Sequence, residues 1–202
     1  DGLATEWYEN GQKKSERYYK NGKLDGLWTE WDENGKKERE GQFKDGKLVS
    51  ASVWKPDGEP CPETKIVDGS GIVVFYHENG QKKSERYYKN GKPDDLFTLW
   101  YENGQKRLEW NYKEDNQHGK SIVWFQNGQK LSEKNYKDDK EHGMSTWYNE
   151  KGGVIAEGSY KDGKPFEGSF PEYYDGPIVH YKNGKLIRTE KREPKKQPEA
   201  TK

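Results

Sequence analysis

The sequence predicts an all-β fold, an elongated single-layer antiparallel meander of about eight β-hairpin repeats of 22–24 residues. Three observations predict it. The fifteen residues ENGQKKSERYYKNGK occur twice, at Glu9–Lys23 and Glu78–Lys92. One glycine recurs at a near-constant step: Gly11, Gly35, Gly58, Gly80, Gly104, Gly128, Gly152 and Gly176. A fixed period in this range marks repeats that bury their apolar faces on one another. Each unit also holds two turn signals, such as ENGQ at Glu9–Gln12 and KNGK at Lys20–Lys23. Asn-Gly and Asp-Gly between strand-forming residues are strong hairpin signals.

The runs between turns, such as LWTEW and KKSERYY, are rich in Thr, Trp and Tyr and carry no helix caps. Each repeat therefore reads as two short strands. With neighbours about 4.8 Å apart, some sixteen strands would extend roughly 75 Å. The array covers 1–190, with an irregular third repeat at 49–69 and a shortened last repeat at 166–186. Pro60 and Pro62 in the third repeat predict a kink or a local loss of pairing, because proline donates no ladder hydrogen bond. The polar tail 191–202, with Pro194 and Pro198, reads as disordered.

Within each unit the aromatics keep fixed places. Four residues before the glycine stand Trp7, Trp31, Trp54, Tyr76, Trp100, Trp124 and Tyr148. Eight residues after it stand Tyr19, Phe43, Ile66, Tyr88, Tyr112, Tyr136 and Tyr160. A three-residue loop at Glu9-Asn10-Gly11 would pair residue 8 with residue 12. Trp7 and Tyr19 would then share one face as a structural ladder, as their counterparts would along the sheet. A two-residue loop would separate them. The other face would carry the recurrent Glu16, Glu40, Glu63, Glu85, Glu109, Glu133 and Glu157 with aromatics that change between units. Among these, Tyr18, Trp28, Tyr87, Phe97, Tyr101, Phe125 and Trp147 are candidate partner-binding residues, since variable positions are where a repeat differs without losing its fold.

Composition bounds the function. Leu, Ile, Val and Phe make up about 14% of the chain, a fraction typical of disorder. Against that, 36 basic residues balance 36 acidic ones, and aromatics reach 14%. Trp and Tyr bury large areas while keeping a polar tip wet, so the chain should be ordered with little dry core. The zero net charge excludes the basic excess that nucleic-acid binding needs and speaks against a membrane role. Cys61 has no cysteine partner, and the longest apolar run, Ile72–Tyr76, is too short to span a bilayer. The chain opens at Asp1 inside a repeat, which reads as a processed or excised product.

No catalytic motif stands out. His118 and His142, one repeat apart, would lie near 10 Å from each other, too far to share a metal. Asp68–Gly71 (DGSG) reads as a tight turn. Glutamates two strands apart would be separated by roughly 10 Å, wider than paired glycosidase carboxylates. Neighbouring lysines explain them as ion pairs. The sequence reads as no enzyme, with no cofactor or metal.

A unit reading G-x-W-x-x-W/Y-x-x-N-G-x-x-x-x-E-x-x-Y-x-x-G, shown well by Asp25–Lys47, resembles the MORN repeat. It is most similar to the bacterial variant in YwqK-like antitoxin proteins. The resemblance implies a hairpin array, no catalysis and binding of other proteins, with neutralisation of a toxin in the antitoxin-like branch. Eukaryotic relatives are associated with membranes and phosphoinositides, for which this chain has no basic excess. The partner would be a toxin-like or envelope protein. Compartment follows the role: cytoplasmic for an antitoxin, exported or cell-surface for a processed chain. Two alternatives remain open: head-to-tail self-assembly through the edges Asp1–Tyr8 and Leu186–Glu190, and glycan binding on the aromatic ladder.

Overall fold

The computed structural model describes residues 1–173 and 175–192; the predicted disorder of the tail falls almost wholly outside them. The described residues contain no helix. Their strands run antiparallel and in chain order within two open sheets. The first holds β1 (Gly2–Trp7), β2 (Lys13–Lys20), β3 (Lys23–Trp31), β4 (Lys37–Lys44) and β5 (Lys47–Val53).

The second sheet starts with the short β6 (Lys65–Val67), then β7 (Ser70–Tyr76), β8 (Lys82–Lys89), β9 (Lys92–Trp100) and β10 (Lys106–Lys113). It continues through β11 (Asn116–Trp124), β12 (Lys130–Lys137), the two-residue β13 (Lys140–Glu141) and β14 (Gly143–Tyr148), the last two both pairing with β12. It ends with β15 (Val154–Lys161), β16 (Lys164–Pro171), β17 (Ile178–Lys182) and β18 (Lys185–Glu190).

The two turn types are those the sequence spells. At Glu9-Asn10-Gly11 the Tyr8 amide donates to Gln12 O, the Gly11 amide donates to Tyr8 O, and Gly11 has a φ of 82°. At Asn21-Gly22 both residues are left-handed, with φ of 51° and 72°, as a two-residue type I′ turn requires. Successive long turns are also tied together. The Asn10 amide donates to Glu33 O at 2.7 Å, and Asn79, Asn103 and Asn127 repeat the contact at 2.7–3.0 Å. Tyr8 and Tyr101 reach the next repeat as well, donating from Oη to Trp31 O and Trp124 O. Asparagine in the turn therefore both permits the bend and clamps it to its neighbour.

The sheet divides in the third repeat, where the prolines stand. Trp54 still bridges to Pro60 and the Cys61 amide donates to Val53 O, but no strand follows β5 in its own sheet. Thr64 replaces the missing ladder by side chain: its hydroxyl accepts from the Val74 amide at 3.0 Å and lies 3.2 Å from Val74 O. Leu48, Val53, Cys61, Ile66, Val73 and Val74 bury one another across the break. Two backbone bonds close the seam, Leu48 N to Gly91 O and Gly69 N to Val49 O, and a third, Gly91 N to Gly69 O, ties together the two turns of the second sheet that make them. A second core gathers Trp147, Ala156, Phe170 and Ile178 near the C-terminal end.

The expected single-face ladder is not what the register gives. The loop at Glu9–Gly11 has three residues, yet Trp7 pairs with Lys13 while Glu6 pairs with Ser15. Lys14 is the extra residue of a bulge, which shifts the pairing by one and swaps the faces. Trp7 therefore shares a face with Glu16, while Tyr19 lies opposite, with Ser15 and Arg17. The same irregularity recurs at Trp31, Tyr76, Trp124 and Tyr148, with its counterpart between Lys106 and Leu108 beside Trp100. The molecule thus has a tryptophan face and a tyrosine face.

Candidate functional site: two faces and an inter-sheet cleft

The tryptophan face is lined by a repeated Lys-Glu-Trp contact. Lys13 pairs with Glu16 at 2.6 Å, Lys37 with Glu40 at 2.6 Å, Lys82 with Glu85 at 2.9 Å and Lys130 with Glu133 at 2.8 Å; Lys106 pairs with Glu109 likewise. Residues i and i+3 of a regular strand point to opposite faces; the bulge between them puts both on one. Lys13 Nζ lies 5.9 Å from both the Trp7 and the Trp31 ring centroids, and Lys37, Lys82 and Lys106 sit likewise over Trp54, Trp100 and Trp124. The rings are thus already occupied by ammonium groups, and a pyranose would have to displace them. The K-x-x-E spacing was the available signal for the bulge.

Glu133 has the densest set of partners. Lys130, Lys120 and Tyr148 donate to it at 2.8, 3.0 and 3.0 Å. The bond from Lys130, aided by those from Lys120 and Tyr148, outweighs partial burial and holds its pKa down to about 2. Across the sheet, Tyr136 is pushed up to about 12 by burial and by the neighbouring Glu141 carboxylate.

The tyrosine face carries the variable side chains, and here the two sheets differ. In the first, Arg17 reaches Glu30 at 3.1 Å and Glu6 at 3.3 Å; Arg39 pairs with the other Glu30 oxygen. Trp28 Nε1 also donates to Glu30 at 3.1 Å, and both guanidinium groups lie over the Trp28 ring, at 5.9 and 4.6 Å. In the second sheet, Phe97 packs on Trp110, and Phe170 meets Trp147, Tyr160 and Tyr181 edge-on.

Between the sheets the tyrosine faces enclose a cleft of about 370 Å³, walled by Trp28, Phe43 and Val53 on one side and Phe75, Tyr88 and Phe97 on the other. Arg39 spans it, 5.0 Å from the Phe75 ring centroid.

The candidate partner-binding residues do not share a face. Trp28, Phe97 and Trp147 lie on the tyrosine face, where Phe97 is only 9% and Trp147 7% exposed. They belong to the packing there, not to the glutamate face on which the sequence put them. Tyr101 and Phe125 stand at the long turns. Tyr18 and Tyr87 remain on the glutamate side and are exposed. Around Tyr18 the structure adds Leu3, its cross-strand partner, and Leu27: the three are 50%, 44% and 41% exposed in the order Leu3, Tyr18, Leu27. This apolar row crosses β1, β2 and β3. The two leucines hold the same repeat place, eight residues before the turn glycine, as do Ile72, Leu96 and Met144, and that recurrence was the available signal.

His118 and His142 each face an aspartate of the next turn, Asp138 at 3.3 Å and Asp162 at 3.7 Å. Among the described residues no three His, Cys, Asp or Glu side chains converge as metal ligands, and no helix is long and apolar enough to cross a membrane.

These features define an open β-repeat array whose chemistry lies on its surfaces. The profile of the MORN repeat variant matches six segments, 1–21, 24–45, 70–90, 96–114, 117–138 and 141–162, more than half of the chain, and the protein belongs to that family. The unmatched stretch 46–69 contains the break between the sheets. No curated protein matches the chain. MORN repeats generally serve as non-catalytic scaffolds for interactions with proteins or membranes.

Proposed function

We propose that this protein is a non-catalytic scaffold that binds a protein partner through the tryptophan face of its first sheet. The observation that carries the reading is the exposed row Leu3, Tyr18 and Leu27. Large exposed side chains grouped on one rigid sheet, amid charged neighbours, are what interaction patches are made of. Tyr87 occupies the equivalent place in the second sheet and is likewise exposed. The test is a photo-crosslinking amino acid at position 18, at position 87 and, as a control, at Lys36, in extracts of the source organism. The reading requires a discrete adduct from the first two positions that is lost in Leu3→Ser with Leu27→Ser. Adducts equal to the control would sink it.

The finer reading is antitoxin-like: the captured partner is a toxin that the scaffold neutralises by covering it. Its support is the similarity of the repeat unit to YwqK-like antitoxins. Expressing the captured protein alone should then arrest growth, and co-expressing the scaffold should relieve the arrest.

Self-assembly is favoured by a separate observation. Among the described residues the outermost strands, β1 and β18, each have an unpaired edge, and Leu186 and Ile187 are 55% and 61% exposed. Light scattering across a wide concentration range decides it: a constant mass near 23.6 kDa excludes assembly.

A further inference from the structure

The cleft between the sheets contains a cation without a counter-ion. Arg86, on β8, stacks its guanidinium 4.2 Å from the Phe97 ring centroid and 5.8 Å from that of Tyr112. Its Nε is buried and has no hydrogen-bond partner, and among the described residues no carboxylate pairs with it. Arg86 is the counterpart of Arg17 in the duplicated segment, and Arg17 shows what such a group binds here. Two carboxylates hold it, those of Glu6 and Glu30. The residues corresponding to Glu6, Glu30 and Arg39 around Arg86 are Phe75, Leu99 and Leu108. The second copy has exchanged every charged neighbour for an apolar one and kept the arginine.

We propose that the inter-sheet cleft docks an acidic side chain of a protein partner, with Arg86 as its counter-ion. This rests on the protein-binding reading above and gives it a second, chemically defined contact. The walls fix the chemistry of the occupant. The guanidinium of Arg86, whose Nε–H has no partner, presents a fork that matches a carboxylate. Phe75 and Phe97 on its own wall and Phe43 on the facing one require an apolar group next to that carboxylate. Arg39, on the opposite wall, is already neutralised by Glu30 and does not compete. The rim holds both signs, Lys36 and Lys83 with Glu38 and Glu78, so selection for an anion falls to Arg86. A Glu or Asp flanked by a large apolar residue fits these walls.

The probes are the blocked peptides Ac-Phe-Glu-Leu-NH2 and Ac-Phe-Gln-Leu-NH2, titrated into the full chain while the arginine Nε–Hε resonances are followed by NMR. The Glu peptide should shift Arg86 saturably and leave Arg17 in place, and the Gln peptide should bind at least about tenfold more weakly. Arg86→Gln should remove binding. Leu99→Glu, which gives Arg86 the carboxylate that Glu30 gives Arg17, should also remove it, and it decides the matter if Arg86→Gln does not fold. No saturable shift at Arg86, equal binding of the two peptides, or unchanged binding in Leu99→Glu overturns the proposal. Sodium acetate binding as tightly as the peptide would mean a free-anion site and overturns it too. A silent cleft with crosslinks still formed at positions 18 and 87 removes only this contact; loss of those crosslinks removes the scaffold reading itself.

Discussion

Glu9–Lys23 and Glu78–Lys92 have the same residues, the same two turns and the same Lys-to-Glu pair, and yet they sit in different chemistry. In the first copy Arg17 is one of four charges alternating with Glu6, Glu30 and Arg39 over a tryptophan. In the second, Arg86 lies against Phe97 with no acid to hold it. Ser15 is 1% exposed, whereas its counterpart Ser84 is only partly buried and lines the cleft. The segment itself determines hairpin, bulge and tryptophan face. Its neighbours in the adjacent strands determine what the tyrosine face does. A repeat protein of this kind can keep its architecture constant and vary its surface by changing residues one strand away.

The largest difference between the copies should appear at their last glycines. Gly22 and Gly91 are both left-handed, with φ of 72° and 76°. A Cβ on Gly22 would meet nothing within 4 Å, whereas one on Gly91 would lie 2.6 Å from Lys47 Cβ and 2.7 Å from Leu48 O. Gly22→Ala should therefore cost about 1–2 kcal/mol, the strain of a left-handed alanine. Gly91→Ala adds overpacking at the seam and should cost about 3–5 kcal/mol in all. Urea unfolding of the two variants measures the gap, and equal losses would mean that Gly91 is not at a seam.

Next comes the ion network that only the first copy has. Glu30 is 12% exposed and answers two arginines. Glu30→Leu, which installs the residue the second copy carries, should destabilise by about 2–3 kcal/mol, since it strands Arg39 and leaves Arg17 with Glu6 alone. Leu99→Ala should cost about 1–3 kcal/mol, through lost packing alone, and its loss should not change with salt. A loss in Glu30→Leu below about 0.5 kcal/mol would show the network to be solvent-screened.

The tryptophan face, common to both copies, should show its strength most clearly at Glu133. Its folded pKa is depressed to about 2, below the ordinary carboxylate value of about 4.3. The stabilisation is therefore fully present above about pH 5 and is lost as pH falls towards 2, about 1–3 kcal/mol in total. Stability of Glu133→Gln measured between pH 7 and pH 2 should show a correspondingly flatter acid limb. The smallest effect belongs to a turn. Asp115 holds a φ of 78° where most repeats have glycine, and Asp115→Gly should raise stability by about 0.5–1 kcal/mol in thermal melts.

Much of the fold was legible because it is written locally. Glycine spacing, Asn-Gly turns and alternating aromatics specify hairpins, and Pro60 and Pro62 mark the place where one sheet becomes two. The faces were not legible from turn length, because one bulged residue at Lys14 inverts every side chain beyond it. The signal lay in Lys13 and Glu16, whose repeated three-residue spacing makes sense only across a bulge. Of the candidate surface residues, Trp28, Phe97 and Trp147 were misplaced by that inversion, while Tyr18 and Tyr87 kept their side. Arg86 was overlooked because its own sequence is identical to that around Arg17; only the residues facing it across β7, β9 and β10 distinguish the two.

The most direct test of this account is whether the tyrosine faces of the two sheets meet. In a NOESY spectrum of the chain with labelled arginine, the Arg39 side chain should show cross-peaks to both Trp28 and Phe75, and Arg86 should show them to Phe97 and Tyr112. An Arg39 that sees Trp28 but not Phe75, or an Arg86 whose contacts mirror those of Arg17, would contradict it.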